Sequence, residues 1–478
     1  MPSPFWCNMF LRKFIGDKQF YKKVLMITLP ILVQQVITNF VSLVDNIMVG
    51  QIGTEQMSGV AIVNQLLYVF NVCIFGGVSG AGIFTAQYFG KGDHEGVRST
   101  FRAKIIIVSL MAVFCIGLFL FFDDELISLF LHKGEDNLDL EATLLYGKEY
   151  MRIMLLQIPL FAITSAYAGT LRETGRTVPP MIGGLVAVAV NVALDYMLIF
   201  GVSFLHIPAM GIRGAAIATV VSRLCEFGVV VFWTHTHKGK NKFIVKAYRS
   251  LRIPSQLMAG IIRKGFPLML NEVLWSVGQA VLVQRYSVRG LEAVSALNIS
   301  STVSNLFFCA FFAFGSAISI IVGQLLGAGE LERAKDEDRK IIAFTVFVCI
   351  VVGVVMAVLS PLFPQIYKTT DTVKEIATAC LLISSFMMPF HGFIHTSYFT
   401  LRSGGKTVVT FLFDSVYVWF VQILAAYLLS MFTGLNVVMM YAIIQGFDIL
   451  KCVVGFVLVK KGVWINNLVS DESETAKA

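Results

Sequence analysis

Four carboxylates stand inside long apolar runs of this chain: Asp45, Asp195, Glu272 and Asp414. A charge at the centre of a membrane-spanning helix costs about 2.5–3.5 kcal/mol on insertion scales, so it normally faces a wet cavity or a partner and marks an ion or substrate path. Asn191 precedes Asp195 by four residues, which puts an amide oxygen and a carboxylate on one helix face. That pair is hard-ligand chemistry for Na⁺, and equally a polarised setting for an acid that carries a proton. The competing role for each acid is structural, as the partner of a loop lysine or a helix end. His391 and His395 are also four apart and could bind metal on one face, but no third ligand lies nearby in sequence. A polar cavity wall or an interhelical hydrogen bond suits them better. Tyr68, Phe70, Trp275, Tyr286 and Trp419 could line a pocket for organic cations, although aromatics in such helices more often face lipid or the interface.

The elements that must position these groups follow from composition. The chain has 478 residues, 56% hydrophobic and only 14% charged, with a mean hydropathy of +0.75. Soluble domains run nearer a quarter charged, so this is a membrane protein. A bilayer-crossing helix needs about 20 apolar residues, and twelve such spans are read at roughly 25–50, 57–86, 102–122, 143–171, 180–202, 210–234, 261–285, 293–326, 341–363, 373–401, 408–432 and 436–459. The expected fold is an all-α membrane protein of twelve transmembrane helices in two pseudo-symmetric six-helix lobes. Its parts would be an amphipathic lead-in (1–24), an amino-terminal lobe (25–234), a basic cytoplasmic linker (235–260), a carboxy-terminal lobe (261–460) and a disordered tail (461–478). Lys and Arg concentrate in alternate loops, the 235–264 stretch alone holding eight, while the loop with Asp123, Asp124, Glu125 and Asp139 is acidic. That bias places both termini in the cytoplasm of a multi-pass cell-membrane protein. The net charge of +8 is thereby accounted for without nucleic acid.

The chain also repeats itself. Residues 30–93 overlay 267–330 without a gap, Pro30 falling on Pro267 (267 − 30 = 237), Gln87 on Gln324 and Gly90 on Gly327. Matching Arg172-x-x-Gly175-x-Thr177 to Arg402-x-x-Gly405-x-Thr407 gives an offset of 230 for the later helices. Under these offsets Asp45 faces Leu282, Glu272 faces Gln35, Asp195 faces Ala425 and Asp414 faces Gly184. Each acid occurs in one half only, which reads as site chemistry. Duplicated membrane halves commonly enclose a substrate path between them, so transport is the first function to test.

Enzyme chemistry has little support. Gly405-Lys406-Thr407 ends like a phosphate-binding loop, but Thr400 stands where the first glycine is required. Ser79 lacks the G-x-S-x-G frame, H-E-x-x-H is missing, and eight scattered cysteines include no C-x-x-C pair.

At this point the residues resemble a known family. NFVSLVDNIMVGQIG in the first span, GAGIFTAQYFGKGD closing the second, NVALDYMLIFG and MGIRGAAIATVVSR in the fifth and sixth, and VGQLLGAGELERAK and LRSGGKT in the second half are similar to multidrug and toxic compound extrusion (MATE) transporters. The resemblance runs from about Leu29 to Gly455 and implies a V-shaped pair of six-helix lobes exporting organic cations or amphipathic compounds in exchange for Na⁺ or H⁺. It implies no cofactor beyond that coupling ion, and a monomer whose partners are drug, coupling cation and bilayer. An amino-lobe ion site would use Asp45, Asn191, Asp195 and Thr219, with a bend of the first helix near Pro30. A carboxy-lobe site would use Glu272; its partner acid on the tenth span would fall near His391, so Asp414 on the next helix is the candidate substitute. The rival readings are a lipid-linked oligosaccharide flippase of the same superfamily and a non-transporting membrane receptor or assembly protein. Loop placement of the basic residues argues against the first, and the intramembrane acids against the second.

Overall fold

A computed structural model describes residues 13–50, 52–130, 139–202, 208–367 and 369–470, with the side chains of 41–47, 50, 54 and 291 excepted. Nearly all of these residues are helical. The long helices are α1 (Lys18–Gly50), α2 (Thr54–Lys91), α3 (His94–Phe121), the bent pair α4 (Leu140–Met154 and Gln157–Glu173), α5 (Val178–Phe200), α6 (Ile212–Thr236), α7 (Ser255–Ser287), α8 (Leu291–Gly327), α9 (Leu331–Leu359), α10 (Asp371–Ser403), α11 (Thr407–Phe432) and α12 (Val437–Lys460). Among the described residues eleven single helices and one bent pair are long and apolar enough to cross a membrane, which gives twelve spans in two runs of six. Apolar side chains that face outward support the membrane setting: Leu110, Val113, Phe114 and Phe121 on α3 are 66–80% exposed. In water such a strip would be a liability; in lipid it is the helix's solvent.

Proline sets the irregularities. The two parts of α4 meet at 46°. Pro159 stands in the first turn of the second part, where its missing N–H is tolerated and its ring blocks continuation from the preceding turn. Pro30 lies inside α1 and its repeat mate Pro267 inside α7, with Pro389 inside α10. Each removes one amide donor from its helix and predisposes it to bend there.

The chain divides into two compact units by internal contacts. The first comprises the described residues of Met1–Leu32, Ile83–Asp93 and Arg263–Ala478. Its core joins Val24, Ile27 and Ile31 of α1 with Ala317, Ile321 and Leu325 of α8, Ile341 of α9, and Tyr398 and Leu401 of α10. Here the ends of α2 and α8 meet backbone to backbone. A side chain at Gly90 would collide with the Gln324 carbonyl, and one at Gly327 with the Gln87 carbonyl. Two residues later Gly92 and Gly329 turn the chain out of each helix at φ 80° and 78°, the left-handed region that favours glycine.

The same unit holds a segment expected to trail in solvent. A disordered tail from 461 onward is not what the structure has as far as residue 470. Trp464 and Val469 are buried, Gly404 abuts the Trp464 backbone, and Gln87 and Lys91 hold the segment in place. Gln87 Nε2 donates to the carbonyls of Ser403 (3.1 Å) and Asn466 (3.2 Å), its Oε1 accepts from Leu468 N (2.7 Å), and Lys91 Nζ donates to the Val469 carbonyl (2.8 Å). The acidic remainder, 471–478, lies outside the described residues.

The second unit comprises Val33–Gly82 and His94–Ile262. Val63, Leu67 and Ile74 of α2 pack with Val108, Met151, Ile158, Ala162 and Ala216 in its core. The basic connector is folded onto this unit. Phe243, Ile244 and Ala247 are buried, and Arg102 of α3 donates to the carbonyls of Ala247 (2.8 Å) and Lys246 (3.1 Å). Phe101 packs edge-on to Tyr167 and beside Phe243.

Candidate functional site

The acids sort into two sets, one in each unit. In the second unit, α5 carries Asn191 and Asp195 one turn apart. Asp195 is 1% exposed and Asn191 is part-buried. Helix α6 lies close against α5, because Gly214 abuts the Leu198 backbone and Gly183 abuts Val230. It carries Thr219, part-buried, whose hydroxyl donates to the Ala215 carbonyl at 3.0 Å. The structure thus puts Asn191, Asp195 and Thr219 on one packed helix pair. Helix α1 meets α5 where Gln34 lies on Gly184. Asp45 belongs to α1, eleven residues further on, but its side chain lies outside the described residues.

In the first unit the sequence-predicted Glu272 and Asp414 are parts of one polar chain. Tyr398 of α10 donates to Glu272 Oε1 (3.0 Å). Asn271 Nδ2, next to Glu272 on α7, lies 3.4 Å from that Tyr398 hydroxyl and donates to Asp414 Oδ2 at 3.0 Å. Lys451 of α12 takes the other oxygen, Nζ to Oδ1 2.7 Å. One turn back on α12, Asp448 accepts from Gln422 Nε2 (2.8 Å) and lies 3.5 Å from His391 Nε2. His391 thus lies beside Asp448. His395 stacks on Phe311 with ring centroids 4.4 Å apart, a packing role. Among the described residues there is no group of three or more His, Cys, Asp or Glu with metal-holding geometry.

Helix α11 is wound locally to suit this chain. Leu412–Val416 and Val418–Ile423 are π-helical. The wider turn lets Ser415 reach sideways: its N–H donates to Asn271 Oδ1 (3.2 Å) and its hydroxyl to the Asn271 carbonyl (2.7 Å). Single π turns of this kind recur at functional positions.

Several of these residues are invisible to a search for lone acids. Asp448 and Lys451 stand in the middle of the last predicted span, three residues apart on one face, and that spacing is the signal that could have found them. Asn271 and Tyr398 give no signal of their own. The placement of basic residues in loops also needs correcting. Lys104 of α3 is fully buried, ion-paired with Glu173, and donates to Thr170 Oγ at 3.2 Å.

Comparison with known proteins gives a consistent result. The family model described as MatE matches twice, over residues 30–197 and 267–428, so that the two matches begin on Pro30 and Pro267. A probable multidrug resistance protein NorM of Thermotoga maritima is 25% identical over 412 residues, covering 85% of each chain. Multidrug and toxin extrusion protein 1 of Danio rerio is 23% identical, covering 82% of this chain and 64% of that one. A MATE crystal structure in complex with MaL6 superposes with a TM-score of 0.84 at 17% identity, covering 95% of this chain and 98% of that one. An outward-facing multidrug resistance MATE transporter of the MOP superfamily gives the same score and identity.

Proposed function

The chain belongs to the MatE family, and we propose that it is a secondary active antiporter that exports cationic or amphipathic organic compounds from the cell in exchange for inward Na⁺ or H⁺. The observation that carries the coupling half is Asp195, 1% exposed within a spanning helix, with the Asn191 amide one turn away. An ionisable residue within a spanning helix marks an ion or proton path by default. Asp45, Asn191, Asp195 and Thr219 form the coupling seat in this reading.

One charge moving inward down 100 mV releases about 2.3 kcal/mol, enough to sustain an outward drug gradient well above tenfold with one or two ions. Occupancy of the seat neutralises α1 and α5 at their acids. Pro30, which weakens α1 by one hydrogen bond, is where that change becomes a bend that reshapes the drug pocket. The aromatic side chains of the spans supply ring faces for an organic cation.

The test is ethidium export from proteoliposomes with Na⁺ and pH gradients imposed separately. Export driven by one of these gradients is the expected result. Export driven by neither would sink the antiport reading.

A further inference from the structure

We propose that Lys451 is a built-in counter-ion: its ammonium permanently fills the cation seat at Asp414, so that Asp414 exchanges no ion during transport. The inference rests on the antiport reading and refines it, because it assigns the exchangeable charge to acids other than Asp414.

Both carboxylate oxygens of Asp414 are engaged. Oδ1 receives Lys451 Nζ at 2.7 Å and Oδ2 receives Asn271 Nδ2 at 3.0 Å. Asn271 is in turn held at Oδ1 by the Ser415 N–H, so the second donor cannot turn away without breaking that further bond. Lys451 is equally held. Its side chain is 6% exposed, and its ammonium lies over the rings of Phe413 (5.3 Å) and Tyr417 (5.6 Å), which present their negative faces to it. An incoming Na⁺ or proton at Asp414 would strand a buried lysine. Another acid, Asp448, sits one turn back on the same helix, but Gln422 already donates to it. Removing one partner of a buried pair is costly in a way that removing both is not.

The repeat makes the same point. Under the 230 offset Asp414 faces Gly184, and under the 237 offset Asn271 faces Gln34. The first half packs Gln34 on Gly184 at this junction, while the second half joins Asn271 to Asp414. The second half thus carries an acid at a position where the first has none, and with it a lysine that cancels its charge. That is an arrangement for keeping a polar junction, whereas a seat for a travelling ion needs a vacancy.

The experiment compares wild type, Lys451→Met and the neutral double variant Asp414→Asn/Lys451→Met in proteoliposomes. The readouts are ethidium export as a function of Na⁺ and of pH, and the ions moved per ethidium by the reversal-potential method. The double variant is expected to keep the wild-type stoichiometry and cation dependence. Lys451→Met alone is expected to need one further cation, seen as at least a tenfold loss of export at low cation concentration that high Na⁺ or low pH restores. A double variant that moves one ion fewer overturns the proposal, and so does a fully active Lys451→Met with unchanged cation dependence. If Lys451→Met does not fold, the double variant decides. Failure of the double variant to fold also counts against the proposal, since two charges that serve only to cancel are dispensable together. A wild type with no cation dependence at all would instead overturn the antiport reading, before either variant is considered.

Discussion

Gly90 lies directly against the backbone carbonyl of Gln324, and its repeat mate Gly327 lies in the same way against that of Gln87. No side chain fits between α2 and α8 at either place. Gly323 and Ala86 extend the close approach by one turn. Small residues of this kind are what allow membrane helices, which gain nothing from burying apolar surface against one another, to associate through close packing.

Alanine at Gly90 or Gly327 should therefore push the helices apart. Overpacking of this sort costs about 1–3 kcal/mol, and the two variants should lower the unfolding temperature by similar amounts. Gly117→Ala, where nothing lies within 4 Å, is the control and should leave it unchanged or slightly raised. Thermal unfolding of the purified variants in detergent checks all three.

Asp45→Asn and Asp195→Asn should each abolish drug resistance in cells while leaving the protein inserted in normal amount. Ethidium accumulation and membrane immunoblots measure the two sides of this expectation. Normal efflux by either variant would remove that acid from the coupling seat.

The buried Lys104–Glu173 pair makes a prediction about stability alone. Lys104→Met removes the ammonium paired with Glu173 and should cost about 3–5 kcal/mol, whereas Lys104→Met with Glu173→Gln should be close to neutral. A double-mutant cycle on unfolding midpoints separates the two cases. Additive losses would mean that the pair is not coupled.

Pro30→Ala restores an amide donor to α1 and should straighten it. Export should slow severalfold while the unfolding temperature holds or rises, because the substitution removes a helix breaker from a helix interior. Stopped-flow ethidium efflux and thermal unfolding read the two effects independently.

Trp464→Ala empties the site beneath the carboxy-terminal segment. Truncating a buried tryptophan costs about 3–5 kcal/mol, and proteolysis after residue 460 should accelerate accordingly.

The spans and the duplication were legible because both are patterns along the chain: runs of apolar residues long enough to cross a bilayer, and matched Gly, Pro and Gln positions at a constant spacing. The glycine turns at Gly92 and Gly329 follow from the same alignment. What the sequence concealed is pairing across helices. Periodicity tells which residues share a face of one helix, as with Asn191 and Asp195. It does not tell that Lys104 of α3 reaches Glu173 of α4, or that Lys451 of α12 reaches Asp414 of α11. Reading acids one span at a time therefore left the partner of Asp414 unnamed and passed over Asp448. The π winding of α11, where Ser415 meets Asn271 of another helix, has no signature in the run LFDSV itself. Residues 461–470 were read by their polarity, yet Gln87 and Lys91, nearly four hundred positions earlier, hold Asn466, Leu468 and Val469.

The reciprocity of Gly90 with Gln324 and of Gly327 with Gln87 has an evolutionary corollary. A surface on which residue i meets j while j meets i is what identical polypeptides present to each other about a two-fold axis. A six-span ancestor with this glycine would already have been able to homodimerise through it. Gene fusion would then have cost the contact nothing, while freeing each copy to lose or acquire its own acids.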